Sequence, residues 1–202
     1  HCVTRRQRQM CIRDSVYRDE FQKNAANAYS GLTSTDKAHG GAIYLDANAT
    51  SLLTGTLDSP YFSSNYAESG SGSDNEQGGA LYTRFSKVTW TGGKATGNKA
   101  DRNNATGQGG VVRTLDAPLG IYEVELYDNL AGSGGAIYSF NDNINNAGYL
   151  RMRNVMAGDN DATNGATVYF ANDNNTEDSW IYHTTLADES TNPGQAIFVV
   201  KG

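Results

Sequence analysis

The 202-residue chain is expected to fold as an all-β, right-handed parallel β-helix, a solenoid of about six coils of 25–38 residues. Three observations predict this. A Gly-Gly-small-aliphatic-aromatic motif recurs along the chain. A second motif, a large apolar residue followed five positions later by Ala, alternates with it. Apolar residues near the second motif alternate with a period of two, as at Val88 and Trp90 or Leu150 and Met152, and no stretch keeps a helical 3.6 period for ten residues.

Residues 1–15, HCVTRRQRQMCIRDS, match neither repeat. The stretch from Arg5 to Ser15 resembles a translated sequencing adapter. Residues 1–15 are therefore expected to be a non-native tail. Residues 16–202 are expected to be the β-helix repeat domain, a fragment of a longer array. Both cysteines, Cys2 and Cys11, fall in the tail, so no disulfide framework is expected.

The first motif reads GGAIY from Gly40, GGALY from Gly78, GGVVR from Gly109 and GGAIY from Gly134. Weaker copies are GATVY from Gly165 and GQAIF from Gly194. The first glycines step by 38, 31, 25, 31 and 29 residues. That is room for two or three short strands per repeat, with length variation in Asn/Asp/Gly-rich surface loops. The aliphatic position (Ile43, Leu81, Val112, Ile137, Val168, Ile197) is apolar in every copy and is assigned to the interior. Its neighbour (Tyr44, Tyr82, Arg113, Tyr138, Tyr169, Phe198) tolerates Arg and is assigned to the outside. The Gly-Gly pair is assigned to a corner that needs positive φ or a close approach.

The second motif is read at Phe21/Ala26, Phe62/Ala67, Trp90/Ala95, Leu126/Ala131, Met152/Ala157 and Tyr182/Ala187. Asn stands three after the large residue at Asn24, Asn65 and Asn129; Gly93, Val155 and Thr185 replace it elsewhere. The Ala is expected inside, beyond a bend where coils approach closely.

The alternation of these motifs, with Phe21-Gln22-Lys23-Asn24, Phe62-Ser63-Ser64-Asn65 and the glycines at 40, 78 and 134, resembles the repeats of the polymorphic outer membrane protein family of chlamydial type. That resemblance spans about residues 19–200. It implies a β-helical autotransporter passenger that is secreted or displayed on the cell surface, with adhesion as the usual role.

Composition narrows the alternatives. The formal net charge of −6 argues against a phosphate-backbone binder, so no nucleic-acid partner is expected. No apolar run is long enough to span a membrane as a helix. Gly (23 residues) and Asn (20) are the main turn formers, against 3 Pro, which suits short strands joined by tight turns. No zinc-binding spacing, nucleophile elbow or nucleotide fingerprint is present.

No catalytic or metal-binding residue is assigned. Glycoside hydrolysis needs two flanking carboxylates, and the candidates Asp142, Asp159, Asp161, Asp173, Glu177 and Asp178 lie in turn patches. Arg113, Arg151 and Arg153 are candidate basic groups for a lyase, but no spacing singles them out. His39 is read as a surface turn residue. No cofactor is expected; Ca²⁺ is the one candidate ion, at the patches Asn141–Asn143, Gly158–Asp161 and Ala171–Asn175. The candidate binding surface is the outward stripe Tyr44, Tyr82, Arg113, Tyr138 and Tyr169. Such a row grips a sugar or a partner chain, or else stacks to hold neighbouring strands. The function expected is a non-catalytic extracellular or cell-surface adhesin or stalk, with a host-surface protein or polysaccharide as partner. The alternative is a carbohydrate-active β-helix enzyme, a polysaccharide lyase or hydrolase.

Overall fold

The computed structural model describes residues 16–28, 38–48, 53–69, 76–100, 107–141, 148–172, 178–187 and 196–200. The expected tail, residues 1–15, lies outside the described residues. Every paired strand is parallel, and the described secondary structure is entirely β.

Each coil contributes one strand to each of three long sheets of six strands. Sheet I stacks Val16–Tyr17, Leu53–Asp58, Ser86–Thr91, Leu119–Tyr122, Leu150–Arg153 and Trp180–Tyr182. Sheet II stacks Glu20–Gln22, Tyr61–Ser63, Lys94–Thr96, Glu125–Tyr127, Met156–Gly158 and Thr185–Ala187. Sheet III stacks Ile43–Asp46, Leu81–Arg84, Val112–Leu115, Ile137–Asn141, Val168–Asn172 and Ile197–Val200. In each sheet four strands have neighbours on both sides and two are edges. A β-solenoid is thus the observed fold, as the repeats predict.

Corners between sheets are made by single residues in the left-handed region. After each sheet I strand stands Arg18, Ser59, Gly92, Glu123, Asn154 or His183, with φ of 50°, 52°, 68°, 60°, 54° and 46°. After sheet II stand Lys23, Ser64, Gly97, Asp128 and Asp159, all at positive φ. Most of these are not glycine, so the chain accepts a local backbone cost at nearly every corner. The Gly-Gly corner before sheet III is different. Gly78 has φ 65°, and a Cβ on Gly79 would run into the Gly110 carbonyl of the next coil. One glycine supplies the turn and the other lets the coils approach.

The aliphatic column sits inside as expected. Ile43, Leu81, Val112, Ile137, Val168 and Ile197 pair in register, and the first five are buried. They join one core with the inward residues of sheets I and II.

The second motif is corrected by the register. Phe21 and Phe62 align with Ala95, Leu126, Ala157 and Leu186. Trp90 and Met152 instead belong to sheet I, in register with Leu57, Ile121 and Ile181. Tyr182 pairs with Arg153, in an outward column. The misreading has a packing cause. Within a coil, the inward residues of sheets I and II lie five apart: Leu57 and Phe62, Trp90 and Ala95, Ile121 and Leu126, Met152 and Ala157. In the two coils whose sheet II residue is small, Ala95 and Ala157, the sheet I residue is the large Trp90 or Met152, which fills the space the alanine leaves. Trp90 reaches Phe62 of the neighbouring coil edge-on, with centroids 5.3 Å apart.

With the register corrected, Asn recurs in five coils rather than three, at Asn24, Asn65, Asn98, Asn129 and Asn160. Gly93 and Val155 are corner and core residues, not its replacements. The last four asparagines are at most 1 % exposed. Each Nδ2 donates to the next Oδ1, at 2.9 Å for Asn24 to Asn65, 2.9 Å for Asn65 to Asn98, 3.0 Å for Asn98 to Asn129 and 2.9 Å for Asn129 to Asn160. The same Oδ1 accepts the backbone N–H of the preceding asparagine. The other amide proton reaches back to a carbonyl: Asn65 to Phe21 O, Asn98 to Phe62 O, Asn160 to Leu126 O. A buried polar ladder with its hydrogen-bonding groups matched adds rigidity without an unpaired group. Ala67, Ala100, Ala131 and Ala162 follow two residues later and are buried, where coils are close, as the motif predicts for Ala67 and Ala131.

Candidate functional site

The outward stripe forms on sheet III. Tyr44, Tyr82, Arg113, Tyr138, Tyr169 and Phe198 lie in register, one per coil. Parallel strands about 4.8 Å apart bring identical ring positions to stacking distance. Tyr44 and Tyr82 stack at 5.2 Å and 10°, Tyr138 and Tyr169 at 4.5 Å and 4°, Tyr169 and Phe198 at 5.3 Å and 21°. Arg113 fills the gap, its guanidinium 5.6 Å from the Tyr82 ring and 5.5 Å from the Tyr138 ring. Its Nε donates to Gln108 Oε1 at 2.9 Å.

The stripe faces outward, yet its middle is closed. Tyr82, Arg113 and Tyr138 are 2 %, 6 % and 8 % exposed; Tyr44, at the end, is 46 % exposed. The rings cover one another, and a polar column of His39, Gln77, Gln108, Ser133 and Asn164 runs alongside. His39 is not a surface turn residue. It lies in the strand Ala38–His39, half-buried, with its ring 4.2 Å from that of Tyr82. Electrostatics follow burial. Desolvation holds the Tyr82 phenol above its ordinary value, partly offset by Arg113 and Arg84. Burial, then the Tyr44 Oη hydrogen bond to Asp46 Oδ2, raises Tyr44. Burial lowers the Arg113 guanidinium, with Tyr82 and Tyr138 acting against it. Arrayed this way, the five candidate residues act as a clamp between coils, with Tyr44 the one well-exposed ring among them.

A second cluster lies on sheet I. Its register gives three successive outward rows: Gly120 and Tyr122, Arg151 and Arg153, Trp180 and Tyr182. Trp180 is 37 % and Tyr182 55 % exposed. The Arg153 guanidinium lies 5.6 Å from the Tyr122 ring, and that of Arg151 lies 3.9 Å from the Tyr149 ring. Tyr122 and Trp180 meet at 6.3 Å and 42°. Sequence reasoning took Tyr182 in this strand as the large apolar residue of the second motif. The inward residue of that strand is Ile181, in register with Met152. In the triplet Trp-Ile-Tyr a period of two fits either phase; the Arg-Met-Arg triplet one coil earlier was the signal that sets it.

The carboxylate and calcium candidates scatter. Asp142, Asp173 and Glu177 lie outside the described residues, as do parts of the patches Asn141–Asn143 and Ala171–Asn175. In the patch Gly158–Asp161, Asn160 points inward into the asparagine ladder, and Asp159 is the left-handed corner. Among the described residues no group of three or more His, Cys, Asp or Glu is placed to hold a metal ion. Comparison with protein-family models, with curated proteins and with solved structures returned no match.

Proposed function

We propose that the chain is a non-catalytic extracellular or cell-surface β-solenoid that acts as an adhesin or stalk, a role of the kind implied by its resemblance to the polymorphic outer membrane protein repeats. The observation that carries this reading is the use made of the polar groups. The asparagine ladder and the Arg113–tyrosine column, the two most ordered polar arrays, run along the axis and join coil to coil. Neither converges on a reacting centre. Asp159, Asp161 and Asp178, the described candidate carboxylates, belong to a corner, to a bridge with Leu130 and to the approach to sheet I. A solenoid held this way is a rigid spacer that presents its loops and outer faces.

A carbohydrate-active enzyme is the second reading, favoured by the aromatic and basic residues on sheet I. The two separate cleanly. The purified chain is incubated with acidic and neutral polysaccharides, and new reducing ends and unsaturated sugar products are measured. The expected result is no product above a heat-denatured control. Steady turnover of any one polymer overturns the non-catalytic reading.

A further inference from the structure

We propose that the outer face of sheet I, centred on Arg153 and Trp180, is a platform for an acidic polysaccharide built from uronic acid units. The inference rests on the non-catalytic reading above and names the ligand class of a face that reading leaves unassigned.

Register alone places the residues. Arg153 pairs with Tyr122 on one side and Tyr182 on the other, and Arg151 pairs with Gly120 and Trp180. The result is a basic row flanked by aromatic side chains on one sheet face. The rows are about 4.8 Å apart, close to the length of one pyranose unit, so a sugar chain lying along the axis meets one row per unit.

The side chains are held before any ligand arrives. Gly120 leaves room for the Tyr122 ring: a Cβ there would stand 2.7 Å from Tyr122 Oη. The ring lies flat and carries the Arg153 guanidinium. Arg151 donates from Nε to the Asp178 carbonyl at 3.1 Å. Tyr182 stacks on His183 at 3.9 Å. Holding rotamers in place lowers the ordering cost of binding.

Charge selects the ligand. The net charge of −6 opposes any polyanion at long range, so the attraction is local: among the described residues Arg153 makes no ion pair, the surface pair Lys94–Glu125 lying on sheet II. A guanidinium fork matches a carboxylate in plane and in charge. An exposed indole or phenol ring accepts the C–H face of a sugar, where apolar area is buried against an aromatic plane. A uronate presents both. A polyphosphate chain answers the arginines but presents no C–H sugar face to the aromatic rings, so it uses only part of the platform.

The test uses calorimetric titration of the full chain with oligogalacturonate, with the same oligomer fully methyl-esterified, with neutral dextran and with a single-stranded DNA oligonucleotide. Oligogalacturonate is expected to bind, more weakly as salt rises. Arg153→Gln is expected to weaken it about tenfold, by loss of one charge-assisted contact, and Trp180→Ala severalfold. Lys94→Gln removes the same charge from a different sheet and is expected to change affinity less than twofold. Melting temperatures of the variants verify the fold. Equal binding of the esterified oligomer, tighter binding of DNA, or a Lys94→Gln loss equal to that of Arg153→Gln each overturns the proposal. Absence of oligogalacturonate binding also overturns it and leaves the non-catalytic reading intact. Cleavage of the bound oligomer overturns the non-catalytic reading and leaves the platform standing.

Discussion

The outer faces of sheets III and I use the same residue types, tyrosine and arginine with a further aromatic, and reach opposite states. On sheet III the aromatic position repeats in one column, so each ring lies on the ring of the next coil and Arg113 takes one ring's place between two others. The faces of the rings are consumed and the middle of the stripe is buried. On sheet I the column holding Tyr122 reads Tyr17, Asp58, Thr91, Tyr122, Arg153, Tyr182. No ring there has a ring directly above it. Between rows, Tyr122 and Trp180 meet on the diagonal, and Trp180 and Tyr182 stay exposed. In a parallel solenoid the vertical neighbour, more than the residue type, decides whether an aromatic side chain is mortar or surface.

The largest effect expected breaks the closed column. Tyr82→Ala removes a side chain that touches Tyr44, His39 and Arg113 at once, and should cost about 3 kcal/mol in urea denaturation, in the range for burying and then deleting an aromatic group. Trp180→Ala on the open face should cost well under about 1 kcal/mol. If the two losses come out equal, the contrast between the faces is wrong.

A somewhat smaller loss tests whether the ladder inside matters as much as the clamp outside. Asn98→Ala removes the acceptor of both Asn65 Nδ2 and the Asn65 N–H, leaving buried donors unpaired at a cost of about 2 kcal/mol. Asn24→Ala, at the part-buried edge of the ladder, should cost visibly less.

The column also predicts a pH dependence. Tyr44 and Tyr82 bind their protons more tightly folded than unfolded. Their contribution is complete below the ordinary phenol pKa of about 10 and is lost as pH climbs through and above it. Melting temperature should hold flat from neutral pH and fall in the alkaline range. Tyr82→Phe, which keeps the ring and removes the titrating group, should make that fall shallower. An identical alkaline profile for wild type and Tyr82→Phe removes the column as its cause.

The smallest effect concerns the corner bordering the open face. Glu123 sits at φ 60°, and Glu123→Gly should stabilise by roughly 0.5 kcal/mol, the steric relief at positive φ exceeding the added chain entropy. A destabilisation would mean the Glu123 side chain makes a contact that outweighs its backbone cost.

Much of this was legible in the residues. The Gly-Gly pairs marked their corner because both demands made there, positive φ and absence of a Cβ, exclude other residues. The aliphatic column was legible because the position of Ile43 stays apolar in every coil, whereas the inward column two residues on changes from Leu45 to Thr83, Thr114 and Ser139. The other corners were not, since Arg18, Ser59, Glu123 and Asn154 adopt a glycine-like conformation without being glycine. The asparagine at 98 and 160 was hidden behind an alanine at 95 and 157. The interior compensates volume between sheets, so the large residue one looks for had moved five positions earlier, to Trp90 and Met152.

The amino-acid sequence alone determined the solenoid, its repeat, the inward aliphatic column of sheet III and the existence of an outward aromatic stripe. These depend on spacing along the chain, which the sequence contains directly. Tertiary structure decided the register between coils, and with it which asparagines form the ladder, which tyrosines close on one another and which aromatic rings on sheet I remain open. Those outcomes depend on what lies one coil above and below, roughly thirty residues away in the chain and about 4.8 Å away in space.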